Sequence, residues 1–256
     1  MKRRIKFVVL AAVILVIAGF IFWRNNNLKL IASRLPDFDS KYLKILHYKV
    51  RLFGLAEIGE ASIILPGIKD SQRERRYSIR AEGGPSKFIS LFFSPKASAV
   101  SDIDQKTSLP DRFSYSLVVP GVPTDDKTII YDHREGTMEL EGVKRVIFPN
   151  TQDPLSAMYF IRNQGMAAGK EFDINLNTNQ KNYRFLLRVA GKKELLIRGR
   201  KVTLWLLDGQ IGRRDKSRRH KTYIKIWFWE EAKVPVLVKT MTNGGQFVIS
   251  LAGMEK

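Results

Sequence analysis

The residues best suited to chemistry sit together at Tyr131-Asp132-His133-Arg134-Glu135, where an acid, an imidazole and a cation follow one another at the end of a predicted strand. Asp132 and His133 would be the general acid–base pair of such a site. Neighbours on a strand point to opposite faces, so the two share a site only if a turn redirects them. Gly136 lies just beyond, and a solvated turn accounts for the cluster better. The other histidines, His47 and His220, lie far from His133 in sequence and on different predicted elements. No nucleophile elbow, Walker loop, H-E-x-x-H or G-x-G-x-x-G pattern occurs. The chain has no cysteine, which removes a lipid-modified N-terminal Cys, disulfides, Cys-based zinc or iron–sulfur sites and thiol catalysis. The expectation is a non-enzymatic protein with no catalytic residue, no metal and no cofactor.

Binding chemistry is better represented. The 256 residues carry 44 Lys and Arg against 25 Asp and Glu, a formal charge of +19. Such an excess favours anionic partners: lipid head groups, lipopolysaccharide, acidic glycans or nucleic acid. Fifteen of the cations, against the three acids Glu194, Asp208 and Asp215, fall between Lys181 and Lys225. The densest part runs from Gly212 to Lys221 and contains Arg213, Arg214, Lys216, Arg218, Arg219 and Lys221, six cations in ten residues. This loop joins two strands predicted to pair. It is either a solvated hairpin tip or a patch for phosphate-bearing head groups, to which each cation adds about 1 kcal/mol near an anionic surface.

Aromatics give a second binding signal. Phe88, Phe92 and Phe93 read as part of a strand, and Leu204 to Leu207 and Ile226 to Trp229 are apolar without interruption. A strand apolar on both faces is buried on both, under a second layer or against a ligand cavity on one side. Ordinary core and a cavity for an acyl chain both fit.

The elements that must position these residues are mostly strands. Leu43 to Leu52 and the run to Leu65 before Pro66-Gly67 read as a hairpin. Further strands are expected at Tyr77 to Ala81, Lys87 to Phe93, Phe113 to Val119, Thr128 to Asp132, Thr137 to Leu140 and Lys144 to Phe148. Beyond residue 170 the period-two alternation is cleaner: Tyr183, Phe185, Leu187 and Val189 alternate with Asn182, Arg184, Leu186 and Arg188, one face apolar and the other mostly polar. Val202 to Leu207, Tyr223 to Trp229, Val234 to Thr240 and Gln246 to Leu251 continue an antiparallel meander. One helix interrupts it. Asp153 can accept bonds from the first free amides and Pro154 presets the first-turn φ, so Leu155 to Arg162 begins as a helix. Its stripe of Leu155, Met158, Tyr159 and Arg162 would plug a sheet face or a barrel mouth, as a packed connection or as a lid.

Residues 1–24 decide the compartment. Lys2, Arg3, Arg4 and Lys6 precede an apolar run of seventeen residues, Phe7 to Trp23, closed by Arg24 and three asparagines. As a helix it reaches about 25 Å at 1.5 Å per residue, close to the ~30 Å core of a bilayer. The run is longer than the apolar region of an ordinary signal peptide, and no small-x-small site follows. It reads as an uncleaved signal anchor with its basic end in the cytoplasm. Three segments are expected: a cytoplasmic end and anchor over 1–27, a connector over 28–42, and one β-rich periplasmic domain over 43–256. Cleavage at an unrecognised site, leaving a soluble periplasmic protein, is the alternative.

The segment D-P-L-S-A-M-Y-F-I-R (153–162), Gly169-Lys170 before a strand, K-I-W-F-W-E-E-A-K-V-P-V-L-V-K (225–239) and G-G-Q-F-V-I-S-L (244–251) together resemble the domain-of-unknown-function family 3108 of bacterial exported proteins. Tyr48-Lys49-Val50 with Gly59-Glu60-Ala61 is similar to that family's opening hairpin. The resemblance covers roughly Leu43 to Leu251. It implies an exported β-rich domain of undefined activity whose final strand pair is similar to that of the half-barrel lipoprotein carriers of the periplasm, and it brings no catalytic residues. The anchor departs from the pattern, since many relatives look like cleaved or lipid-modified exports. The fold expected is all-β, an open or closed antiparallel β-barrel or half-barrel with one short helix behind an N-terminal transmembrane helix. The function expected is binding or handing over an amphiphile in the envelope, with the Gly212 to Lys221 cations on its anionic head. A scaffold module that binds another envelope protein is the alternative, and export leaves nucleic acid out.

Overall fold

Period-two alternation is carried into the backbone strand by strand. The structure, a computed structural model, describes residues 45–66, 76–178, 180–197, 200–214, 221–242 and 245–255. In order these form β1 (Ile45–Leu52), β2 (Ala56–Ile64), β3 (Arg76–Pro85), a one-turn helix α1 (Lys87–Ser90), β4 (Lys96–Asp104), β5 (Pro110–Val118), β6 (Asp125–Asp132), β7 (Thr137–Leu140) and β8 (Val143–Val146). Helix α2 (Pro154–Arg162) follows, then β9 (Glu171–Thr178), β10 (Lys181–Ile197), β11 (Arg200–Arg213), β12 (Lys221–Trp229), β13 (Val234–Thr242) and β14 (Gly245–Glu255). The expected N-terminal anchor lies outside the described residues, among which no helix is long and apolar enough to cross a membrane.

All fourteen strands join one antiparallel sheet in the order β8-β7-β6-β5-β4-β3-β2-β1-β14-β13-β12-β11-β10-β9. The first strand pairs with the last: Tyr48 faces Leu251 and Val50 faces Ile249. The sheet curls strongly, because Ala81 of β3 and Leu176 of β9, eight places apart in strand order, line the same internal space. It does not close by a backbone ladder. Side chains cross the gap instead: Gln180 Nε2 donates to the Leu140 carbonyl (3.2 Å), Asn182 Nδ2 to that of Val146 (3.0 Å), and Arg145 Nε to Gln180 Oε1 (3.0 Å). Part of the free edge of β9 is satisfied by Gln152, whose amide donates to the Asn175 carbonyl and whose carbonyl accepts from Asn177. Edge strand β8 is four residues long and carries Lys144 and Arg145, two features that discourage pairing with another chain.

Two sequence expectations change. Lys87 to Phe93 is not a strand; Lys87–Ser90 is a helical turn and the aromatics after it lie in an exposed connection. Their β propensity finds no partner, because β2 and β4 already occupy both sides of β3. A strand that the alternation did not announce, β4, fills that place. Of its core-facing residues Ala99, Ser101 and Ile103, two are small, and Ser101 meets the start of α2.

Helix α2 begins where expected. Asp153 Oδ1 accepts from the amides of Leu155 (2.7 Å) and Ser156 (3.0 Å), and the Asp153 amide donates to Ser156 Oγ (2.9 Å), a reciprocal cap with Pro154 in the first turn. Ser101 Oγ of β4 donates to Asp153 Oδ2 at 2.5 Å, so the cap also ties the helix to the sheet. Burial raises the Asp153 carboxyl above its ordinary range despite these bonds. The helix buries Leu155, Ser156, Ala157 and Ile161, a set offset from the expected stripe. Leu155 joins a core with Ile79, Ile103 and Ile129, whereas Ala157 and Ile161 join another with Phe172, Phe185 and Leu207. Both faces of α2 are therefore occupied, and it bridges two cores inside the curl.

Candidate functional site

Antiparallel order places the chain reversals at two ends of the sheet. The turns after Leu52, Val118, Arg213 and Thr242 and the α1 connection after Pro85 share one end, called here the α1 end. Inward residues toward the other end, among them Leu46, Tyr77, Ile79, Ile103 and Tyr131, are buried in the core. Nearer the α1 end the inward side chains leave a cavity of about 370 Å³. Its walls are Val50, Ile63, Ala81, Ile211, Ile224, Ile226 and Ile249 from the sheet, with Pro154, Ala157, Met158 and Ile161 from α2. Pockets that hold small ligands occupy roughly 300–1,000 Å³ and are mostly apolar, and this cavity meets both conditions. Ile226 and Phe228 face it while Trp227 and Trp229 face the other way, which resolves the doubly apolar strands as core on one face and cavity wall on the other.

Polar groups near the cavity are few. Tyr48 lines it and donates its hydroxyl to the Pro235 carbonyl at 3.0 Å. Arg162, in the last turn of α2 beside the lining residue Ile161, is part-buried, and its Nη1 is buried with no hydrogen-bond partner among the described residues. The described groups whose charge acts on it are the phenols of Tyr159 and Tyr48; no acid is among them. Burial accordingly lowers the guanidinium pKa. The helix C-terminus offsets part of the cost of this cation, but a buried charge without a counter-ion stays expensive.

Asp132 Oδ1 accepts from the amides of Arg134 and Glu135, both at 3.0 Å, and these bonds, led by that from Glu135, hold its carboxyl below the ordinary range. His133 stacks on Tyr131 and donates Nε2–H to the Pro110 carbonyl (2.8 Å), since a carbonyl can only accept. The cluster builds a turn. Arg213 ends β11 and Lys221 begins β12, while Lys216, Arg218 and Arg219 lie outside the described residues. Arg214 donates to Asn175 Oδ1 and its guanidinium sits 4.1 Å over the Phe148 ring, fastening the end of β11 to the seam of the sheet.

One constellation was invisible in the sequence. His47 places Nδ1 2.9 Å from Ser62 Oγ and Nε2 2.9 Å from Glu255 Oε1, the composition of a hydrolase triad. Ser62 lies inside β2, paired with His47 on one side and Glu82 on the other, so the surrounding amides belong to ladders rather than to an oxyanion hole. The three side chains form a cross-strand polar link on the outer face.

A family model for proteins of unknown function, DUF3108, matches residues 47–252. The chain belongs to this family. Three solved structures align with the DUF3108 domain at low identity. A lipoprotein candidate from Parabacteroides distasonis aligns with TM-score 0.35 and 9% identity over 85% of this chain and 97% of its own. The hypothetical lipoprotein YmcC from Escherichia coli gives 0.32 and 13% over 87% and 94%. An exported-protein candidate with a YmcC-like fold from Bacteroides fragilis gives 0.31 and 9% over 87% and 98%. No curated protein matches the chain.

Proposed function

We propose that this DUF3108 domain holds and hands over an amphiphile with a single acyl-like chain and an anionic end, in the bacterial envelope and without catalysing a reaction. The apolar cavity between the curled sheet and α2 carries the proposal. At about 30 Å³ per water-sized group, 370 Å³ receives roughly a dozen methylenes. Each methylene removed from water contributes about 0.8 kcal/mol, so a chain of this length supplies ample driving force. The anionic end belongs at Arg162, whose unpartnered Nη1 is the buried cation beside the lining residues and lacks a counter-ion among the described residues. A carboxylate or phosphate there would turn a cost into a charge-assisted hydrogen bond. Tyr159 packs its ring 4.9 Å from that of Tyr77, the second residue of β3 at the filled end, so the anionic end goes in first and the tail points toward the α1 end. The basic Lys2 to Lys6 start and the apolar run Phe7 to Trp23 support export with anchoring in the inner membrane and the bulk of the chain in the periplasm.

Titration calorimetry with dodecanoate tests this directly. Saturable binding with a negative heat-capacity change is expected, with an affinity at least tenfold weaker in Arg162→Met and with dodecyltrimethylammonium not competing. Absence of saturable binding, or equal binding of the cationic amphiphile, would contradict the proposal.

A further inference from the structure

Exposed apolar side chains are normally scattered, and here they are gathered. In α1 and the connection after it, Phe88, Leu91, Phe92 and Phe93 are 68%, 76%, 79% and 53% exposed. The turn after β1, at the same end of the sheet, adds Phe53 and Leu55, both exposed. Phe53 also holds a left-handed φ of 51°, a conformation that bulky residues rarely adopt and that concentrates at functional positions. The α1 segment is anchored from behind rather than loose: Ser86 donates its amide to the Ile58 carbonyl and its Oγ to that of Glu57. Cations flank the aromatics. Exposed Lys87 and Lys96 bracket them, and exposed Lys221 starts β12 at this end.

We infer that the α1 end docks on an anionic lipid bilayer, with Phe88, Leu91, Phe92 and Phe93 entering the boundary between head groups and acyl chains. Aromatic and leucine side chains framed by lysine and arginine are the pattern of surfaces that lie in this boundary, and the cations match the negative charge of phosphate-bearing lipids. Exposed acids share this end, Asp125 and Asp126 at the start of β6, Glu141 in the β7–β8 turn and Glu82 near the end of β3, and Asp125 pairs with Lys127 at 3.3 Å. Reach does not forbid docking even though Ile45 enters at the opposite end. The twenty-one residues from Arg24 to Lys44 span up to about 70 Å when extended, and the eight residues of β1 cover only about 27 Å. The inference stands on the exposed side chains and not on the cavity, so it survives if no amphiphile is bound. If one is bound, the tail end of the cavity faces its source.

Because the chain has no cysteine, a single introduced thiol reports one position. The full-length protein is reconstituted into phosphatidylcholine vesicles containing phosphatidylglycerol and a nitroxide-bearing lipid, with a fluorophore on Phe92→Cys, on Leu55→Cys, or on Glu135→Cys in the β6–β7 turn at the opposite end. Quenching at positions 92 and 55 is expected to exceed that at 135 at least threefold, and to fall toward the value at 135 when Phe88 and Leu91 are also replaced by Ser. The same labels in vesicles of phosphatidylcholine alone should be quenched less. Equal quenching at the two ends, or stronger quenching at 135, overturns the inference and leaves the exposed aromatics for a protein partner. The two labels at the α1 end guard against disruption of either site by its own substitution.

Discussion

Replacing Ala81 by Phe separates a ligand cavity from a packing defect. Ala81 lines the cavity from β3, where it faces Ile63 of β2 and Ala99 of β4. A phenyl ring there gains about 1.5–3 kcal/mol from burial and up to ~1 kcal/mol in strand preference over alanine. Imperfect fit returns about 1–3 kcal/mol as strain. The net change in unfolding free energy therefore lies between about −1.5 and +3 kcal/mol, a shift of between roughly −6 and +12 °C at about 2–4 °C per kcal/mol for a domain of this size. The effect on a ligand is much larger. The ring displaces about four methylenes of an acyl chain, worth ~0.8 kcal/mol each, so affinity should drop more than a hundredfold at about 1.4 kcal/mol per decade. Thermal denaturation and dodecanoate calorimetry on the same preparation check both halves. A variant as stable as the parent that still binds dodecanoate with full affinity would refute the assignment of the cavity.

Four further outcomes are expected. Asp153→Ala should cost about 2–4 kcal/mol, a lost cap on the Leu155 and Ser156 amides worth ~1 kcal/mol plus about 1–3 kcal/mol for the buried Ser101 hydroxyl left unsatisfied, which urea denaturation will show. Asp153→Asn keeps most of those bonds and reports on pH: with its pKa raised by burial, the folded chain retains a proton that the unfolded chain has released, so this group favours the folded state most below its ordinary value of 3.8 and less as pH rises through the folded value. Wild type should accordingly gain stability relative to Asp153→Asn on acidification from neutral pH, and a constant difference would contradict the burial argument. Gly209→Ala would put a Cβ 2.5 Å from both the Leu186 carbonyl oxygen and Leu187 Cδ2, and should lower stability by roughly 1–3 kcal/mol in the same assay. The full-length chain should stay with membranes through carbonate washing, whereas a chain beginning near Leu28 should not, and a mature N-terminus found beyond Trp23 would replace the anchor with a cleaved signal.

What could be read from sequence followed the range of the interactions involved. Asp153-Pro154 marks the start of α2 because capping is settled within four residues, and the alternation of Phe185, Leu187 and Val189 marks β10 because a strand with one apolar face repeats every second residue. Strand β4 was not legible: its core-facing Ala99 and Ser101 are small, and the partner of Ser101, Asp153 at the start of α2, lies more than fifty residues away. Phe88, Phe92 and Phe93 misled for the opposite reason, since their strand preference is real but neither side of β3 was free. The family motifs identified DUF3108 correctly, but the cavity could not be foreseen, because Val50, Ala81, Ile161 and Ile226 meet only through the curl of the sheet. The sequence placed an anionic head group on the Gly212 to Lys221 cations; the position of Arg162 became visible only once its described neighbours were known to lack an acid.

Mass spectrometry of an organic extract of the purified full-length protein, run beside extracts of Ala81→Phe and Arg162→Met, bears most directly on the central claim. An anionic, acyl-bearing amphiphile close to one per chain in the wild type, depleted in both variants, is the predicted result. Identical extracts from all three proteins, holding only bulk membrane phospholipid, would contradict it.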